Sequence, residues 1–122
     1  MRIFKCMACG NIVMKIKDSG VNMSCCGSEM TELIPGTTDA AVEKHVPVYE
    51  VNGSKVKVSV GSVAHPMTPE HFIEWVAVET NKGCRILKLT PNDAPEVNFT
   101  LEDGETIKEV LAYCNLHGLW KA

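Results

Sequence analysis

No run of lysine and arginine appears anywhere in this chain, and no apolar stretch approaches the length needed to cross a bilayer. With 12 basic against 15 acidic side chains and a formal net charge of −3, a broad basic face for nucleic acid is excluded. A membrane-spanning helix needs about 20 mostly apolar residues, so that class is excluded as well. The opening residues, "MRIFKCMACG", lack the apolar core of a secretory leader and place a cysteine at position 6 instead. The expectation is a soluble, cytoplasmic protein that binds neither nucleic acid nor membrane. Internal repeats and low-complexity tracts are also missing, which leaves one or two small packed domains.

What the chain does have is six cysteines in 122 residues. In an exported protein they would predict a disulfide framework; in a cytoplasmic one they predict metal binding or redox chemistry. Without a leader, metal is the better reading.

The cysteines divide unevenly. Residues 1–36 hold Cys6-Met-Ala-Cys9-Gly10 and Cys25-Cys26-Gly27, and end on a Pro35-Gly36 break. A unit this short cannot bury much core, and chains below about 40 residues usually need a metal, disulfides or a partner. Residues 37–122 read as all-β. In "VPVYEVNGSKVKVSVG", Val56, Val58 and Val60 alternate with Lys55, Lys57 and Ser59, and Asn52-Gly53 supplies a hairpin turn. "FIEWVAVET", "CRILKLT" and "VNFTL" add strands, whereas "ETIKEVLAYCN" fits either a strand or one face of a helix. Seven short strands separated by turn signals predict an antiparallel sandwich of the immunoglobulin type.

Cys6, Cys9, Cys25 and Cys26 offer four sulfurs in the small unit. A C-x-x-C loop brings two thiolates to one ion, and four thiolates suit zinc or a single iron. On spacing alone a structural zinc ribbon is as good a reading as an iron centre. A second C-x-x-C would give more regular geometry, so the adjacent Cys25-Cys26 pair should strain the site.

Only four histidines occur: His45, His65, His71 and His117. His45 stands at the expected start of the first sandwich strand. His65 and His71 bracket a loop stiffened by Pro66 and Pro69. His117 follows Cys114 across the tight turn "CNLHG". Singly, each is an ordinary surface or packed histidine. Together, loop-borne histidines plus one cysteine are what a metal site at one end of a sandwich would use. Five donors exceed what structural zinc needs and point to a redox-active metal, iron first. A divalent ion with four thiolates keeps about two negative charges, whereas four imidazoles and one thiolate leave it about one positive charge. The second site would therefore attract a small anion.

The motifs CxxCG…CCG, EKHVP, GSVAHPMTPEHFIEW and YCNLHGLWK together resemble the desulfoferrodoxins, the two-iron superoxide reductases, over nearly the whole chain. The resemblance implies a desulforedoxin-like domain with an Fe(Cys)4 centre on Cys6, Cys9, Cys25 and Cys26. It implies a second, neelaredoxin-like immunoglobulin-type domain, with a catalytic iron on His45, His65, His71 and His117 and Cys114 axial. It further implies reduction of superoxide to hydrogen peroxide, a rubredoxin-like electron donor and a homodimer. Lys44 matches the lysine that attracts superoxide and helps protonate the product, and Glu43 the glutamate that can approach the oxidised iron. The competing reading is a non-catalytic electron-transfer protein or a zinc-braced structural one. Cys84 is expected to be a buried free thiol, Trp75 and Trp120 core or interface aromatics, and Tyr113 a neighbour of the Cys114 sulfur without a chemical role.

Overall fold

The computed structural model describes all of residues 1–122 and divides into two compact units, Met1–Ile34 and Pro35–Ala122. No helix is long and apolar enough to cross a membrane.

In the first unit, β1 (Ile3–Lys5) pairs antiparallel with β2 (Ile12–Met14) on one side and β5 (Thr31–Glu32) on the other; β3 (Ser24–Cys25) and β4 (Ser28–Glu29) form a separate hairpin. Its core is small: Phe4, Cys6 and Met30, with Val13, Met23 and Cys25 packed against them. Charged stems extend this core. Arg2 and Lys15 lie over the Phe4 ring at 5.1 and 5.2 Å, and their charges are met by Glu32 and Asp18. A core of this size needs a further brace.

The second unit begins with a four-residue helix, α1 (Val42–His45), followed by seven strands. A three-stranded sheet has the order β10 (Glu96–Thr100), β7 (Lys55–Val60), β6 (Pro47–Asn52). A four-stranded sheet has the order β12 (Gly118–Lys121), β11 (Ile107–Cys114), β8 (Ile73–Thr80), β9 (Gly83–Lys88). All pairings are antiparallel, and the result is an immunoglobulin-like sandwich. Val56, Val58 and Val60 of β7 and Val97 of β10 face Ile73, Val76 and Val78 of β8 and Val110, Ala112 and Cys114 of β11. Full burial of each large apolar side chain contributes about 1.5–3 kcal/mol.

Several local expectations change. His45 ends α1 rather than opening a strand, because β6 starts only at Pro47. The β6–β7 turn is Gly53-Ser54, since Asn52 still pairs with Lys55. The ambiguous 107–114 segment is a strand, and its mixed period has a cause: Val110, Leu111, Ala112 and Tyr113 are all buried, so both faces read as apolar. Cys84 is exposed on β9 rather than buried; it pairs with Glu79 at the sheet edge.

The β8–β11 ladder is irregular at its end. Tyr113 pairs with Trp75 but Cys114 pairs with Ile73, so Glu74 is an extra, bulged residue on β8. The inward phase set by Val78 and Val76 would otherwise continue to Glu74. The bulge turns Ile73 inward instead, opposite Cys114, and such bulges commonly re-aim side chains beside functional sites.

Candidate metal centres

Four sulfurs meet in the first unit. The ligating atoms of Cys6, Cys9, Cys25 and Cys26 all lie within 4.8 Å of one another, and none of the chain's cysteines forms a disulfide. The Cys6 amide donates to the Asn11 carbonyl at 2.8 Å and the Gly10 amide to the Cys6 carbonyl at 2.9 Å, closing the C-x-x-C loop. The second pair rides on the β3–β4 hairpin, where Cys26 takes φ 52, the left-handed region that is costly for any residue with a Cβ. Cys9 and Cys25 sulfurs stand 3.6 Å apart, and Cys25 and Cys26 3.9 Å. The backbone amides of Cys9 and Ala8 hold the Cys6 thiol down to about 6. The neighbouring sulfurs, Cys9 first, push Cys26 up to about 12 and raise Cys25 as well. Four sulfurs this close cannot all be thiolates without a cation among them, which is how the donor set fits a thiophilic metal.

The second cluster lies at one end of the sandwich. His45 comes from α1, His65 and His71 from the β7–β8 connection, Cys114 from the end of β11, and His117 from the β11–β12 turn. The four imidazoles close a ring. Going round from His45 to His65, His71, His117 and back, adjacent centroids are 4.7, 4.6, 5.0 and 4.9 Å apart, each pair near perpendicular. Across the ring, His45 and His71 are 6.3 Å apart.

Backbone carbonyls set the tautomers. Nδ1 of His45 donates to Ala41 O and Nδ1 of His65 to Pro66 O, each at 2.7 Å. A carbonyl can only accept, so Nε2 of both rings carries the lone pair. These nitrogens lie 3.2 Å apart, and His117 Nδ1 lies 3.1 Å from His45 Nε2. Nε2 of His71 is buried with no hydrogen-bond partner. Burial lowers the affinity of His45, His65 and His71 for a proton, His65 to about 4. Lone pairs thus converge where protons are disfavoured, which is what a metal ion would satisfy.

Cys114 is fully buried, with its sulfur 3.8 Å from His117 Nδ1. Its donor atom and those of His45, His65 and His71 lie within 4.8 Å of one another. Burial raises its thiol, and the backbone amides of His117 and Leu116 partly offset this. Gly118, at φ 75, supplies the left-handed step that returns the chain into β12.

Glu43 and Lys44 are exposed on α1, immediately before His45. The Glu43 carbonyl accepts from the Val63 amide at 2.9 Å and the Ser62 hydroxyl at 3.2 Å. The Lys44 charge disfavours protonation of His45 and His71, and that of Glu43 favours it at His45, so both charges reach the cluster.

Two residues outside the expected donor set also touch the cluster. Trp120, expected as a generic core aromatic, lies against the His45 ring at 4.9 Å and donates its indole N–H to the His117 carbonyl at 3.0 Å. Asn115 donates to Glu70 O and accepts from Phe72 N, on either side of His71. No residue type or spacing announces either role, because both depend on strand register. Tyr113 stacks on Trp75, its partner in the β8–β11 ladder, at 5.2 Å and 9°.

Comparison with known proteins gives concordant results. The Desulfoferrodoxin family profile matches residues 37–122, and the Desulfoferrodoxin N-terminal domain profile matches residues 1–33. A desulfoferrodoxin homolog of Archaeoglobus fulgidus is 46% identical over 123 residues, spanning 100% of this chain and 96% of the relative. The desulfoferrodoxin of Nitratidesulfovibrio vulgaris is 45% identical over 120 residues, 98% of this chain and 94% of the relative. Among solved structures, the superoxide reductase from Treponema pallidum superposes with TM-score 0.81 at 43% identity, covering 98% of both chains. The superoxide reductase (1Fe-SOR) from Giardia intestinalis matches 66% of this chain and 95% of its own, with TM-score 0.52 and 34% identity.

Proposed function

Because the chain belongs to the desulfoferrodoxin family, we propose that it is a superoxide reductase, converting superoxide, one electron and two protons into hydrogen peroxide. Both iron sites of the family, one of four cysteines and one of four histidines and a cysteine, have their donor groups here. The observation that carries the reading is the closed imidazole ring with the unpartnered His71 Nε2 and the Cys114 sulfur beside it.

The first unit would be the Fe(Cys)4 domain and the second the catalytic one; the compact units divide after Ile34, two residues before the break expected at Gly36. Cys6, Cys9, Cys25 and Cys26 would hold the first iron; His45, His65, His71, His117 and Cys114 would hold the second. An iron bound there would supply the electron and Lewis acidity, and an external donor is needed to provide the electron that each turnover consumes.

The chain's own residues do the rest. His45 and His65 keep their protons on Nδ1, tied to carbonyls, so that Nε2 is available. Burial keeps water from the Cys114 sulfur, and the Leu116 and His117 amides favour its thiolate. Lys44, exposed beside His45, attracts the anionic substrate and delivers protons through water. Glu43 provides a carboxylate that can approach the more positive oxidised site. The family resemblance further supports a rubredoxin-like donor, a homodimer and a cytoplasmic setting. A zinc-braced protein without turnover is the competing reading.

Iron content and visible absorption of protein from iron-supplied cells test the proposal. The expected result is an iron at each centre, with the second oxidised when superoxide meets the reduced protein. Zinc at the first centre and an inert second one would overturn it.

A further inference from the structure

The donors of the second centre arrive on three separate pieces of chain. His65 and His71 precede β8, while Cys114 and His117 follow the body of β11, its neighbour in the sheet. Ladder bonds between β8 and β11 would ordinarily fix these two groups relative to each other. The Glu74 bulge interrupts that ladder just before the donors begin.

Asn115 spans the gap. Its backbone N–H donates to the Phe72 carbonyl at 3.2 Å, as a ladder residue would. The reciprocal bond is made by its side chain: Oδ1 accepts from the Phe72 N–H at 3.0 Å. Nδ2 then donates to the Glu70 carbonyl at 2.9 Å. One side-chain amide therefore grips the residues before and after His71. The N–H and carbonyl of His71 itself are engaged with Thr68.

We propose that Asn115 is a positioning residue that locks the His71 loop to the Cys114–His117 turn, so that the donors of both converge on a single ion. With Oδ1 standing in for a backbone carbonyl, the main chain is released to turn toward His117 while the sheet register is kept. Oδ1 also lies 4.0 Å from the Cys114 sulfur, so the amide packs directly beside that donor. The position demands one acceptor and one donor at a single reach. Aspartate lacks the donor, alanine lacks both, and glutamine is a methylene too long. The inference rests on the second centre holding iron.

The test uses the full-length, iron-loaded chain with Asn115→Ala and Asn115→Asp. Competition with a ferrous chelator should show the second centre of Asn115→Ala losing iron at about 10- to 100-fold lower chelator concentration, the usual cost of removing a group that orients metal donors. Asn115→Asp should fall between, because it keeps the acceptor for Phe72. The Fe(Cys)4 centre serves as internal control and should keep its iron in both. The sulfur-to-iron absorption band of the oxidised second centre should shift in each variant, which loss of fold stability alone would not produce. Melting of the metal-free proteins is measured alongside, and if Asn115→Ala fails to fold, Asn115→Asp carries the test. Wild-type affinity and an unmoved band, even with a lowered melting temperature, would overturn the proposal. A wild-type chain that takes up no iron at its second centre would instead overturn the reading beneath it.

Discussion

Lys44 sits on the exposed side of a four-residue helix whose last residue, His45, is buried in the metal cluster. One peptide bond thus separates a solvated cation from the His45 residue of the cluster, and its field already reaches His71 on another loop. For a small anion approaching from water, such a charge raises the encounter rate, and salt screens the effect. Lys44→Ala should slow the reaction with superoxide by about tenfold and flatten its decline with ionic strength, as read by rapid mixing across a salt series. An unchanged rate and slope would make Lys44 an ordinary surface charge. At this scale the clustered cysteines and histidines were legible in the sequence, because thiolate and imidazole chemistry belongs to the residue type. Asn115 and Trp120 were not, because asparagine and tryptophan acquire a role only through what the fold sets beside them. Cys84 was misread for the same reason: burial of a thiol follows from its place on an edge strand, not from its identity.

Elements bring distant donors together through two close approaches. The first is the Glu74 bulge, which turns Ile73 and Cys114 inward and is followed by the Asn115 clamp. The second is the meeting of α1 with the chain after β7. A Cβ on Gly61 would fall 2.6 Å from the Glu43 carbonyl and 2.9 Å from that of Val46, both backbone atoms. The absent side chain lets Ser62 and Val63 reach the Glu43 carbonyl and hold the segment that carries Glu43, Lys44 and His45. Gly61→Ala must displace one of these backbones. Overpacking of this kind typically costs about 1–3 kcal/mol, so thermal melting should drop and the superoxide rate should fall with it. A variant that melts and reacts like the wild type would show that this approach does not position α1. Strands with one exposed face, such as β7, were readable from alternation. β11 was not, because Leu111 and Tyr113 are as buried as Val110 and Ala112.

Across the whole molecule, two metal centres of opposite electrical character share one chain. The first unit presents four sulfurs whose balance with a divalent ion is negative, which repels anions. The second presents mostly neutral imidazoles, one thiolate and a lysine nearby, suited to receiving an anion. Composition separates a cysteine-rich segment from an alternating β segment, and a unit with so small a core needs a brace beyond apolar packing. The ring order of the histidines was not visible, since it depends on how three loops meet at the end of the sandwich. Reduction of superoxide at the second centre differs from dismutation, in which half the superoxide is oxidised to oxygen, and the balance of products measures that difference directly. Reduced protein supplied with an electron donor and mixed with superoxide should yield one hydrogen peroxide for each superoxide consumed, with no oxygen released from it. Half as much peroxide accompanied by oxygen, or no consumption beyond the uncatalysed rate, would contradict the account.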